Sequence, residues 1–149
     1  MGRMFKIKPW WAYGVFVVLD TICVGMGMGV PIFCILFGFV VGWYIAKAAI
    51  AQTEMVEEVV RKFLRHAIAT AGYTFVVMAV IWGRWMVFLF DPSTDYTNLG
   101  IPMILFEPKV SFIGWNVLMI CISPFLQVLA TVFGSHMTLL GWLRRRKVV

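Results

Sequence analysis

Three stretches of this chain, residues 21–46, 67–83 and 110–143, contain no Asp, Glu, Lys or Arg. Uncharged apolar runs of that length are buried either in the interior of a large protein or in a bilayer, and 149 residues cannot enclose that much apolar chain. Composition agrees, at 62% hydrophobic and 13% charged residues with a mean hydropathy of +0.90. The expected class is an all-α integral membrane protein in one domain.

A helix crosses the roughly 30 Å hydrocarbon core in about 20 residues, so the apolar stretch from Trp10 to Ile50 is long enough for two crossings. The break belongs near Gly29-Val30-Pro31: glycine tolerates the turn, and proline at a first helical position loses no needed N–H. Four spans are expected, near residues 10–28, 31–49, 67–90 and 111–140. The first is expected to be retained rather than cleaved, because no small-residue cleavage site follows it and a second span begins at once.

Eleven of the thirteen basic residues fall into three groups: Arg3, Lys6 and Lys8; Lys47, Arg61, Lys62 and Arg65; and Arg144 to Lys147. With four spans, all three groups lie on one side, and the positive-inside rule puts both termini in the cytoplasm. The expected location is a plasma membrane. The net charge of +6 is then topological, and no nucleic-acid partner is expected, because these cations meet lipid headgroups first. Trp10, Trp11, Tyr13, Trp43, Tyr44, Tyr73 and Trp142 fall at predicted inner ends, and Trp82, Trp85 and Trp115 near outer ends, as an interfacial belt requires.

The segment from Lys47 to His66 reads as helical. Val56, Val59, Val60, Phe63 and Ala67 recur at spacings of three and four, Glu57–Arg61 and Glu58–Lys62 are acid-first pairs, and Thr53 offers an N-cap. The third helix should therefore run from about residue 54 to 90, roughly 55 Å, and project inward. Its inner part would lie among headgroups or dock a partner. On the other side, the loop after Asp91-Pro92-Ser93 carries an apolar stretch, Ile101 to Phe106, too short to span and expected on the membrane surface.

Asp20 is the leading candidate site. It sits about ten residues, roughly 15 Å, from the Trp10 interface, near the bilayer centre, where a carboxyl is costly and faces a cavity or a partner. It serves as an ion- or proton-binding group, with Thr21 beside it, or it fixes helix packing. Gln127 falls near the same level and is a candidate to meet it. Arg84 has Asp91 seven residues on, on the same helical face, so a snorkelling pair is expected there. Pro124 should kink the fourth helix and free the carbonyl of Ile120, with Ser123 as a stand-in donor.

Gly25 with Gly29, and Gly38 with Gly42, form small-xxx-small pairs that let backbones approach, within a hairpin of the first two spans or between protomers. His66 and His136, both near inner ends, are weak haem or metal candidates, and no cofactor is expected. Cys23, Cys34 and Cys121 contain no Cys-x-x-Cys, which argues against thiol redox chemistry. No acid–base pair or nucleophile with its base appears at a fixed spacing, so an enzyme ranks last. A small oligomeric transporter or channel component using Asp20 ranks first. An accessory or assembly subunit of a larger membrane complex is the alternative, so the expected partners are the lipid bilayer and either like protomers or other membrane subunits.

Overall fold

The computed structural model describes residues 9–26, 30–53 and 55–146, and among these there is no strand. Helix α1 covers Pro9–Met26, α2 Val30–Ile50, and α3 Val56–Gly83, which tightens into a 3₁₀ segment, Arg84–Phe90. After a loop, α4 covers Pro108–Val117, a π turn follows over Leu118–Ile122, and α5 runs over Ser123–Arg146. The last three elements join end to end. Three helices are long and apolar enough to span a membrane: Pro31–Ile50, Val56–Phe90 and Pro108–Arg145. At 18 residues, α1 measures about 27 Å, just under the hydrocarbon thickness.

The distribution of side chains is inverted relative to a water-soluble bundle. Val15, Ile22, Leu36, Val40, Val76, Val80, Phe125, Leu129 and Phe133 face outward, while Asp20, Thr70, Thr74, Asn116, Ser123, Gln127, Thr131 and Ser135 are buried. A bilayer produces this arrangement, because large apolar side chains cost nothing against lipid whereas polar groups must find partners between helices. The membrane reading thus rests on where side chains point as well as on hydropathy.

The most extensive contact joins α2 to α5. Gly38 lies so close to α5 that an added Cβ would stand 2.6 Å from the Gln127 carbonyl oxygen, and one on Gly42 would strike the Thr131 carbonyl. From the other side Gly134 meets the Phe39 backbone, with 2.7 Å between a would-be Cβ and the Phe39 carbonyl oxygen. Ser135 Oγ donates to the Gly42 carbonyl at 3.0 Å. The Gly38/Gly42 pair therefore binds α5 of the same chain, rather than α1. A Cβ on Gly25 would meet nothing, and its expected companion Gly29 lies outside the described residues.

Three local expectations need correction. The helix α3 begins at Val56 with Met55 as N-cap, and Thr53 Oγ1 accepts the Met55 N–H at 3.3 Å from outside the helix. Glu57 and Arg61 pair at 2.7 Å, but Lys62 reaches Gln52 at 3.3 Å rather than Glu58. The apolar stripe Val59, Phe63 and Ala67 is buried, and Val59 and Phe63 pack with Ala49 and Leu139. The inner end of α3 is thus packed on its own chain, with little apolar stripe left for docking.

The loop is organised by its own carboxylates. Asp91 accepts from Ser93 N and Oγ at 2.9 and 2.6 Å, and Asp95 accepts from Thr97 and Asn98. These hydrogen bonds hold both carboxyls below the usual carboxylate range, with the Ser93 hydroxyl the larger cause for Asp91 and the Thr97 hydroxyl for Asp95. Ser111 Oγ bonds both the N–H and the carbonyl of Leu105, at 2.8 and 2.9 Å, pinning the loop while Met103 to Phe106 stay exposed.

Candidate functional site

Helices α1 and α3 run parallel, so contacts advance along both together. Tyr13 hydroxyl bonds His66 Nδ1. Seven residues further along α1 and eight along α3, Thr74 Oγ1 donates to Asp20 Oδ2 at 3.0 Å. Asp20 is 1% exposed and Thr74 fully buried. On α3 the residues concerned are spaced by four: His66, Thr70, Thr74. Each threonine hydroxyl also reaches back to the carbonyl one turn earlier, Thr70 to His66 at 2.9 Å and Thr74 to Thr70 at 3.2 Å. A polar seam roughly 12 Å long results, from the His66 level to Asp20.

One helical turn beyond Asp20, toward the α1–α2 connection, the seam ends. Val24 and Met78, each four residues past its polar neighbour, form a buried apolar cluster with Cys34 and Met119. In the opposite direction Tyr13, His66 and Thr70 line an open cleft between α1, α2 and α3. Asp20 is therefore closed on one side by apolar packing and stands one hydroxyl away from open space on the other.

The Thr74 hydroxyl has one proton and two acceptors, Asp20 Oδ2 and the Thr70 carbonyl. With Asp20 ionised, that proton serves the carboxylate; with Asp20 protonated, the carboxyl can donate to Thr74, which keeps its bond to Thr70. Both forms are accommodated by rotating one hydroxyl. Nothing else in the fold gives a buried carboxyl two satisfied states so simply.

The other sequence candidates fall elsewhere. Thr21 points to a different face, with Oγ1 on the Val17 carbonyl at 2.7 Å and against Tyr73 hydroxyl at 2.9 Å. Tyr73 therefore sits near the Asp20 level rather than in the inner aromatic belt. Gln127 is fully buried at the α2–α5 contact, and neither its amide nitrogen nor its oxygen has a hydrogen-bond partner, so it does not bond Asp20. Arg84 is exposed, and Asp91 is held by Ser93 instead. The reason is geometric: over a 3₁₀ segment of three residues per turn, a seventh neighbour is about 120° away instead of aligned.

His66 is engaged by Tyr13, with ring centroids 5.7 Å apart, and His136 is exposed on α5, so the two histidines are not brought together. Among the described residues no three His, Cys, Asp or Glu side chains are grouped to hold a metal ion, and Cys23, Cys34 and Cys121 are free thiols. The carbonyl taken up at the α4–α5 junction is that of Leu118, which accepts both the Ser123 N–H and, at 2.8 Å, Ser123 Oγ. The break before Pro124 is thus absorbed by a π turn rather than by a lone free carbonyl at Ile120.

Sequence reasoning missed Thr70 and Thr74. The available signal was the four-residue repeat His66, Thr70, Thr74 within an apolar span, a polar stripe facing the one buried acid. No protein-family model, curated protein or solved structure matches this chain.

Proposed function

We propose that this is a four-span membrane protein with both termini cytoplasmic, acting in a plasma membrane as a small oligomeric transporter or channel component that binds a proton or cation at Asp20. One observation carries the reading: a buried carboxyl joined by the Thr74 hydroxyl to the cleft-lining Thr70, and sealed on its far side by Val24, Cys34, Met78 and Met119. In that topology α1 makes the fourth crossing, and Asp20 faces the cytoplasmic side. Access from one side at a time is what alternating access requires of a coupling site. Thr74 acts as a positioning residue, while Thr21 and Gln127 support the packing around it. Helices α1 and α3 supply half a pathway, and like protomers would supply the rest.

The test is proton uptake into proteoliposomes driven by an imposed potential, with an internal pH dye. Asp20→Asn keeps the shape and the Thr74 contact, so it should assemble normally and lose uptake. Full uptake by that variant would remove the reading. A second reading, an accessory subunit of a larger complex, is favoured by the open glycines: a side chain on Gly14 or Gly25 of α1 would meet nothing within 4 Å. It requires stoichiometric foreign subunits in a mild-detergent purification, and a pure homo-oligomer would exclude it.

A further inference from the structure

At the end where α2 turns into α3, helices α1, α2 and α3 do not close on one another, and the gap is a cleft of about 1510 Å³. That exceeds the roughly 300–1,000 Å³ of a usual small-molecule pocket. Its lining is divided by chemistry. Lys62 and Arg65, from the first turns of α3, stand at one end, level with Trp11 near the start of α1 and Trp43 and Tyr44 near the end of α2. Leu19, eight residues past Trp11, marks the other end, so the apolar part penetrates about 12 Å from that interface.

No acidic side chain lines the cleft among the described residues, so its charge is positive and confined to the interfacial end. The cations are available to a ligand. Arg65 is exposed, and Lys62 uses one of its three donors on Gln52. His66, tied to Tyr13, is not needed for the charge. An occupant must therefore be anionic at the membrane surface and apolar for about 12 Å below it, and must enter sideways from the bilayer between α1 and α2.

We infer that this cleft is a binding site for one anionic phospholipid from the leaflet at the α2–α3 turn. Its phosphate sits on Lys62 and Arg65, and its acyl chains lie along Leu19, Phe37 and Val41. Charge complementarity selects the headgroup, and the depth of the apolar wall selects a lipid over a soluble anion. The inference depends on the membrane reading and not on any role of Asp20, and its test reads bound mass rather than flux.

The experiment is native mass spectrometry of the full chain released from nanodiscs of equal phosphatidylglycerol and phosphatidylcholine. One retained phosphatidylglycerol per protomer is expected. Each basic residue near a membrane surface is worth about 1 kcal/mol toward anionic lipid, which is about fivefold. Lys62→Gln and Arg65→Gln should therefore each lower the preference about fivefold, and the double variant about 25-fold. Arg144→Gln with Arg145→Gln should leave it unchanged. Val41→Trp, which fills the cleft with both cations in place, should remove the adduct, and circular dichroism reports whether each variant keeps its helices. Equal retention of the two lipids overturns the site, as does equal loss on changing Arg144 and Arg145. A protomer–protomer complex that Val41→Trp dissociates would mean that a second copy occupies the cleft, and would also overturn it.

Discussion

The α2–α5 contact and the α1–α3 contact hold helices together by opposite means. Between α2 and α5 the backbones themselves touch, through Gly38, Gly42 and Gly134, with Thr131 and Ser135 facing them. Between α1 and α3 the backbones are held by hydrogen bonds and ring contacts, Tyr13 to His66, Asp20 to Thr74 and Phe16 to Tyr73, with a cleft alongside. Lipid offers little drive to press apolar helices together, so shape and polar bonds must do it. Shape alone gives a joint that cannot breathe, whereas a hydrogen-bonded joint can change partner and protonation state. The rigid pair is thus a frame, and the chemistry sits on the joint with freedom to move.

The largest effect should come from breaking the frame. Gly42→Val drives a side chain into the Thr131 backbone and should destabilise by about 3 kcal/mol, as overpacking does. Gly25→Val, on an open face, should stay within about 0.5 kcal/mol. Reversible unfolding in mixed micelles measures both, and similar losses for the two would end the distinction. On the other joint, Thr74→Val deletes the donor to Asp20 and should cost about 1 kcal/mol, the scale of an interhelical hydrogen bond in a membrane. In the proteoliposome assay it should slow proton uptake without abolishing it.

Gln127→Leu sharpens the contrast from inside the frame. Both amide atoms are buried without a partner, and removing such a group is neutral or stabilising by up to about 1 kcal/mol. A loss of stability instead would mean that a water or another polar group serves the amide. The smallest effect lies in the loop. Asp91 is held low by Ser93, so whatever its ionised form adds to loop order is present above the ordinary carboxylate range and is lost as pH falls through its lowered value. Ser93→Ala should move the Asp91 titration upward, as carboxyl NMR would record, with no change at Asp95.

Much of this was legible from residues alone. The start of α2 at Val30 with Pro31 in its first turn, the polar face of α5 and the buried position of Asp20 follow from run length, turn chemistry and the cost of a carboxyl in lipid. Partner choice was not legible. Gly38 and Gly42 signal a close approach without saying to which helix, and only the packed chain selects α5 over α1. The Arg84–Asp91 pair failed because a 3₁₀ segment changes the angle per residue, and the composition of Arg84–Phe90 gives no sign of it. Thr74 escaped notice because a threonine inside an apolar span is common, and its partner lies 54 residues away.

The π turn at Leu118–Ile122 has a consequence for how this chain tolerates length change. A wider turn accommodates one residue more than the α-helix would, and each α-helical residue advances the rotation by about 100°. Deleting any one residue of that turn should let the helix close into continuous α geometry and rotate everything beyond it. Gln127, Thr131, Gly134 and Ser135 would leave the glycine face of α2 together and turn toward lipid. The turn therefore works as a phase adjuster between two halves of a long rod, and a one-residue deletion there would be more damaging than any single substitution along α5.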